Sequence, residues 1–532
     1  MNSAQLEKKQ LKISPNVPQA SVQPATLDSS QSPSAQTSLE KIIHHDSDSL
    51  RLALIEAQYA LKDTRDKPRG RGVLILMSGI ELAGKGDALM QLREWADPRL
   101  FNVKARLPIA PHSPAWLRDA SLLPEKGEVV ILFGNWYGDL LKAHMAYLQA
   151  QKGANKKNKG DQQKCVEKMT GARFQRQIEH LHAFEQDLRA QGITVCKCWF
   201  DLSWDQLQKR LDDVSQSDHQ WLHLHGLDWR KKDQYQTLQK LRKEMGSDWI
   251  EIDCQDEVER DLKFGQVVLN ALTEQRLPVA PAARRWKLSE IPAPLYTPDN
   301  TIMEKESYKS RMNAAQKKLE KLIQRCAARS IVLVFEGMDA AGKGGAISRI
   351  VASLDPRQYQ VFPIAAPEPH ERRHPYLWRF WLKLPDVSKT SANMTIFDRS
   401  WYGRVLVERV EGLLRAGEWQ NAYQEINRFE RDLIEGGTIV LKFWLAISSE
   451  EQERRFSARQ ETPHKRFKIT ADDWRNRKRW NDYLQAAADM FEHTNTADAP
   501  WVIVATDDKY TARLAVLESL NRHLEAVLGE FK

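Results

Sequence analysis

The sequence lacks the features that would place it outside a reduced, aqueous compartment. Its five cysteines, Cys165, Cys196, Cys198, Cys254 and Cys326, form no C-x-x-C pair and no ligand cluster, which argues against a disulfide framework or a thiolate metal centre. Cys196 and Cys198 alternate along an apolar stretch and read as small hydrophobes. No apolar run approaches eighteen residues, and the opening MNSAQLEKKQLK has no apolar core of a secretion signal. A cytoplasmic protein with no membrane partner is expected. A strong excess of one charge is missing too: the net charge is +8 over 532 residues, which suits a polyanionic ligand without demanding one. There is no RNA-recognition signature and no platform of stacking aromatics between basic residues, so nucleic acid is not the expected partner.

What is present is a soluble globular composition, 42% hydrophobic and 28% charged, on a chain long enough for two cores. Seventeen tryptophans sit mostly in apolar segments, so packing is their expected role. Residues 1–45 are rich in Ser, Pro, Gln and Ala without apolar periodicity and read as a disordered leader. A second Pro-rich stretch, 276–298, reads as a linker. It separates two bodies, 46–275 and 299–532, that repeat each other. A constant offset of 245 residues relates FEQDLRAQGITVCKCWFDLS at Phe184 to FERDLIEGGTIVLKFWLAIS at Phe429, and Trp229 of DWRKKDQY to Trp474 of DWRNRKRW. Nearer each start, SGIELAGKGD matches EGMDAAGKGG, and the WYG at Trp136 matches the WYG at Trp401.

VLILMSG and IVLVFEG are continuous apolar runs ending in glycine, as buried parallel strands should be. Each leads into a Gly-rich turn and a helical pattern, so each copy is expected to be an α/β doubly wound parallel sheet flanked by helices, with ligands outside the strands' carboxyl ends. In the second copy the turn resembles a phosphate-cradling P-loop, with Gly337, Gly342 and Lys343 in register. The usual Ser or Thr after the lysine is replaced by Gly344. Its metal-holding hydroxyl is expected to be replaced by carboxylates: Asp339 inside the loop, and Asp398 after the short apolar run of TIFDRSWYGR. Two carboxylates are a usual donor set for Mg²⁺. Arg399 and Arg404 follow directly and could neutralise a transferring phosphoryl group. A basic run from Arg454 to Lys468 reads as a lid that excludes water. The stretch EPHERRHPYLWRFW, 368–381, could contact substrate through its arginines or pack its tryptophans in the core.

These segments, GMDAAGKGG, FDRSWYGR, FERDL…TIVLKFWL and DWRNRKRW…APWVIVATDD, resemble the polyphosphate kinase type 2 family over nearly all of 300–532. The tandem arrangement is similar to that family's two-domain members. The resemblance implies P-loop-kinase-like domains with helical lids, inorganic polyphosphate as donor, a nucleoside monophosphate, chiefly AMP, as acceptor, and Mg²⁺ as cofactor. It implies that Asp339 and Asp398 associate with metal, that Lys343, Arg399 and Arg404 contact phosphate with the glycines 337, 342 and 344 of the loop, and that Arg459 and Lys465 are basic lid positions. An ATP-dependent nucleoside monophosphate kinase is the alternative enzyme, and a non-catalytic polyphosphate- or nucleotide-binding protein the alternative of another class.

The first copy keeps Gly79, Gly84 and Lys85, with Glu81 where Asp339 stands. Aligning on WYG, however, places Phe133 and Gly134 opposite Asp398 and Arg399, and Asp139 opposite Arg404. It is expected to be a structural or regulatory half that imitates the partner subunit of a dimer. A homo-oligomer of the whole chain is compatible with this reading.

Overall fold

The two apolar runs become the central strands of two sheets. The computed structural model describes residues 46–67, 70–105, 119–153, 171–214, 227–274, 286–326, 329–384, 394–414, 416–464 and 471–529. The expected leader, the first part of the expected linker, and Lys465 with the rest of 465–470 lie outside these residues. From His45 onward the chain forms one compact unit.

The first half runs α1 (Ser47–Lys62), β1 (Gly72–Gly79), α2 (Lys85–Trp95), β2 (Phe101–Ala105), β3 (Val129–Phe133), α3 (Trp136–Gly153), α4 (Gly171–Ala190), β4 (Ile193–Asp201), α5 (Trp204–Asp213), α6 (Lys232–Glu244), β5 (Trp249–Asp253) and α7 (Glu257–Thr273). The second runs α8 (Lys305–Arg325), β6 (Ile331–Gly337), α9 (Lys343–Val351), β7 (Tyr359–Pro363), β8 (Met394–Asp398), α10 (Ala416–Glu435), β9 (Ile439–Ala446), α11 (Ser449–Glu461), α12 (Ala471–Lys478), α13 (Trp480–Thr494), β10 (Trp501–Ala505) and α14 (Lys509–Gly529). Both sheets have five strands, ordered β2-β3-β1-β4-β5 and β7-β8-β6-β9-β10, and every pairing is parallel. The identical order is the duplication in structural form. Val73–Leu76 and Ile331–Phe335 are fully buried, as strands covered by helices on both faces require. Among the described residues no helix is long and apolar enough to cross a membrane. Cys196 and Cys198 are buried with their sulfurs 4.0 Å apart and no disulfide between them.

Two polar clusters interrupt these cores at matching positions. Lys442 on β9 donates to Glu430 Oε2 at 2.7 Å, to Tyr402 Oη at 3.0 Å and to the Thr494 carbonyl at 2.8 Å. Lys197 on β4 donates to Glu185 at 2.9 Å and Tyr137 at 3.1 Å and pairs with Asp248 at 2.7 Å. Burial pushes the Lys442 ammonium below its ordinary range, with Glu430 opposing. Another matched pair holds the glycine-rich loops. Arg210 donates to the Leu82 and Cys254 carbonyls, and Arg455 to those of Ala340, Ala341 and Asp507.

The halves meet along α4 and α10 in a pseudo-two-fold arrangement. His180 and Asp187 on α4 correspond at the 245 offset to Glu425 and Asp432 on α10. His180 Nδ1 lies 3.4 Å from Asp432. On the matching side Asp187 accepts two hydrogen bonds from Arg428, the Nε–Oδ2 bond being 2.9 Å. Arg428 has no counterpart, because its equivalent is Ala183. The described end of the 276–298 segment is docked on the second half: the Trp286 N–H donates to Gln485 at 2.7 Å, its indole donates to Asp489, and Leu295 is fully buried.

Removing one member of a buried ion pair strands the other charge, at about 3–5 kcal/mol. Lys442→Met is therefore expected to lower the urea midpoint by an amount equivalent to that loss. Adding Glu430→Gln should return at least half of it.

Candidate active site

The parallel pairing of β6 with β8 puts Phe335 opposite Asp398, so the loop after β6 and the DRSWYGR segment after β8 leave the sheet side by side. Gly337 has φ 133°, and an added Cβ would lie 2.1 Å from the Leu445 carbonyl oxygen, so only glycine lets β6 end this close to β9. Gly342, at φ 110°, caps the amino end of α9. Lys343 is buried and folds back to donate to the Gly337 carbonyl at 2.8 Å and that of Met338 at 3.3 Å. Gln452 Nε2 donates to the Asp339 carbonyl at 3.0 Å. With Arg455, these bonds occupy the loop's carbonyls; the Ala341 N–H donates to the Met338 carbonyl at 3.1 Å, and the N–H groups of Gly344 and the rest of the first turn of α9 are left as donors for an anion.

Asp339 is held at both oxygens. Arg399 donates to Oδ1 at 2.7 Å and Asn476 to Oδ2 at 3.0 Å. Burial works against its ionisation, yet Lys343, Arg399 and the Asn476 amide together keep the carboxyl below the usual carboxylate range. Asp398 is partly buried, and its side-chain oxygens accept no hydrogen bond from a described residue. An added Cβ on Gly344 would come within 3.8 Å of Asp398 Oδ2, so Asp398 stands over the start of α9. Lys343 is lowered by burial and by Arg399, against Asp339, Asp398 and Glu336. Arg399 has φ 62°, a left-handed conformation costly for a side chain of this size; its counterpart Gly134 has φ 88°. Buried Glu336 accepts from the Ser400 N–H at 2.7 Å and the Ser400 hydroxyl at 2.8 Å, which ties the two strand ends together.

The structure thus brings Gly337, Asp339, Gly342, Lys343, Gly344, Asp398 and Arg399 to one place. Arg404 stands apart, beyond the turn, with Nη1 on Glu408 at 3.1 Å and its guanidinium 4.9 Å from the Tyr376 ring centroid. It lines a cleft of about 720 Å³ that includes Gln191, Arg372, Tyr376, Arg379, Ser400 and Glu425. Arg404 Nε and the Tyr376 hydroxyl are buried there with no hydrogen-bond partner among the described residues. Arg459 lies one turn beyond Arg455 on α11, partly exposed, and makes no hydrogen bond with a described residue. Within 368–381 the roles divide. Arg373 pairs with Asp66 of the first half at 3.1 Å, Arg379 donates to the Ala365 carbonyl at 2.9 Å, and Trp381 is core.

Sequence reasoning missed Gln452, Asn476, Glu336 and Tyr376. The repeat carried a signal for three of them: the first half has Leu207, Lys231 and Ser78 at the equivalent positions, so these polar groups belong to the second half alone. Tyr376 had no such signal.

Fold and site together define a duplicated α/β phosphate-binding protein with one acid- and arginine-furnished loop and one stripped of that furniture. The chain belongs to the Polyphosphate kinase 2 (PPK2) family, whose profile matches residues 43–278 and again 302–532. It is 50% identical over 482 residues to a polyphosphate:AMP phosphotransferase of Acinetobacter johnsonii, covering 90% of this chain and 96% of that one. It is 40% identical over 510 residues to a polyphosphate:AMP phosphotransferase of Pseudomonas aeruginosa, with 91% and 96% covered. A crystal structure of a polyphosphate kinase 2 from Pseudomonas aeruginosa PA01 superposes with a TM-score of 0.74 at 38% identity, over 91% of this chain and 96% of that chain.

One wall of the cleft is an ionisable group under stress. Burial, then Asp187, pushes the Glu425 carboxyl up to about 8 from its ordinary 4.5, against Arg404 and Arg428. A carboxyl that binds its proton more tightly when folded loses stability as pH rises from the unfolded value through the folded one, here from about 4.5 to about 8. Glu425→Gln is expected to melt above the parent at pH 8.5 by roughly 2–4 °C for each ~1 kcal/mol recovered. The difference should close by pH 5.

Proposed function

We propose that this chain transfers the terminal phosphoryl group of inorganic polyphosphate to a nucleoside monophosphate, chiefly AMP, giving ADP, and that the chemistry belongs to the second half. The observation that carries this reading is the pairing of two sites at one sheet edge. A glycine-rich loop with Lys343, Arg399 and two carboxylates adjoins a cleft in which an arginine nitrogen and a tyrosine hydroxyl are buried without partners among the described residues. A buried polar atom without a partner calls for one, and here the cleft is where a ligand could supply it. The names of the two relatives point to the same donor and acceptor.

The donor's phosphates would lie on the N–H groups of the loop and the start of α9, with Lys343 turning from the loop carbonyls onto phosphate oxygens. The acceptor would sit in the cleft, its phosphate toward Arg404. An oxygen of the acceptor phosphate attacks the terminal phosphorus of the chain. A new P–O bond forms, the bridging P–O bond to the next phosphate breaks, and the chain leaves one phosphate shorter with the bonding electrons. The nucleophile is already an anion near neutral pH, since a phosphate's second pKa is about 6. The site accordingly needs no general base and holds cations instead. Arg399, fixed in its left-handed turn, would neutralise the equatorial oxygens of the transferring group. The donor set fits a hard cation, because the Asp398 oxygens accept no hydrogen bond among the described residues and Asp339 frees Oδ1 once Arg399 moves to phosphate. These two residues would hold Mg²⁺, which when bound neutralises phosphate charge. Arg459, with Lys465, would close over the donor, and the reaction would run in the cytoplasm.

Purified protein given AMP and polyphosphate without ATP should form ADP, and failure to do so would sink the reading. Asp398→Asn should lower turnover at least a hundredfold while melting within a few degrees of the parent. Chelating divalent ions should stop the reaction, and Mg²⁺ should restore it.

A further inference from the structure

The first half makes several polar contacts with the segment that walls the cleft. The Lys126 N–H donates to the Arg373 carbonyl at 3.0 Å. Glu125 lies 3.4 Å from His374 Nε2, and Phe184 packs on Trp381 with ring centroids 5.7 Å apart. Between these ties sits Gln191, just past the end of α4. Its Oε1 accepts the Tyr376 N–H at 3.0 Å, and its Nε2 donates to Glu425 at 3.2 Å. A single amide therefore joins both walls of the cleft, and the Tyr376 ring it fixes is the one the Arg404 guanidinium lies against at 4.9 Å. At the matching position the second half has Gly436, so this connection runs in one direction only, from the degenerate half to the furnished one.

We propose that the first half is a positioning device for acceptor binding, and that Gln191 is the positioning residue through which it sets Tyr376 and hence Arg404. This rests on reading the cleft as the acceptor site. Gln191 touches no reacting atom. It fixes the backbone at Tyr376, which lies in the turn between the short helical stretches Glu371–Arg373 and Trp378–Trp381 and whose N–H bonds to the first half rather than within its own segment. A tyrosine free to shift would take with it the face on which Arg404 rests. The acceptor would then meet a guanidinium that must be ordered on binding, which weakens affinity rather than the chemical step.

The test uses the full chain, with KM for AMP, KM for polyphosphate, kcat and melting temperature measured for the parent, Gln191→Leu, Gln191→Glu and Arg404→Met. Gln191→Leu should raise the AMP KM about tenfold, move kcat less than threefold, and leave the polyphosphate KM within twofold. Gln191→Glu keeps the acceptor for the Tyr376 N–H and should recover most of the AMP KM at pH 6.5, where Glu425 is protonated and can donate. It also decides the matter if the leucine variant melts too low to assay: an AMP KM as poor as tenfold above the parent in that variant would contradict the role given to the Oε1 contact. Arg404→Met separates the two layers. If it raises the AMP KM and a folded Gln191→Leu does not, the positioning role is wrong and the acceptor site stands. If Arg404→Met leaves the AMP KM unchanged or shifts the polyphosphate KM instead, the acceptor reading fails and the proposal falls with it.

Discussion

The parallel pairing of β6 and β8 is the constraint on which the rest of the site depends. It brings the ends of two strands, far apart in sequence, to neighbouring positions, and each strand end carries half of the charged groups. The loop after β6 supplies Asp339 and Lys343; the turn after β8 supplies Asp398, Arg399 and Ser400. Glu336 and Ser400 lock the two ends by two short hydrogen bonds. The left-handed Arg399 then lies where it can reach Asp339. Strain at that residue is tolerated because the strand pairing and the Arg399 N–H bond to the Phe335 carbonyl at 3.0 Å over-determine its backbone.

The duplication serves as an internal control on what each residue is for. The buried Lys–Glu–Tyr clusters and the arginines 210 and 455 occur in both halves, so their work is to hold a sheet and a loop whatever the chemistry. Asp398, Arg399, Gln452 and Asn476 occur only in the second half, and the last three bond to Asp339. The first half has Phe133 and Gly134 in place of the Asp–Arg pair, and its Lys85 folds onto the Ile80 carbonyl at 2.7 Å as Lys343 folds onto its own loop. The fold is built twice from the shared set, and the proposed chemistry draws on the other. The pseudo-two-fold contact of α4 with α10 joins the two copies.

Much of this was legible in the chain before any coordinates. Continuous apolar runs ending in glycine announced buried parallel strands, and the 245-residue offset announced two copies of one fold. The loop and the Asp398–Arg399 pair are local motifs and could be read locally. Asn476, Gln452 and Gln191 could not be, because each is one polar residue near or on a helix that acquires meaning only through what the tertiary fold sets beside it. Arg455 was read with the basic run of a lid, yet it braces the loop beneath. Its presence in the first half as Arg210 was the available clue. The arginines of 368–381 stayed open in the sequence because substrate contact and structural pairing ask for the same residue type, and only the geometry sends Arg373 to the first half and leaves Arg372 and Arg379 on the cleft wall.

The central claim is that phosphoryl transfer belongs to one loop of two look-alikes. It is tested most directly by removing the same lysine from each in the full chain and measuring ADP formed from AMP and polyphosphate. The account predicts that Lys343→Met loses at least a hundredfold in turnover, while Lys85→Met stays within threefold of the parent. Loss on Lys85→Met with Lys343→Met still active would contradict it.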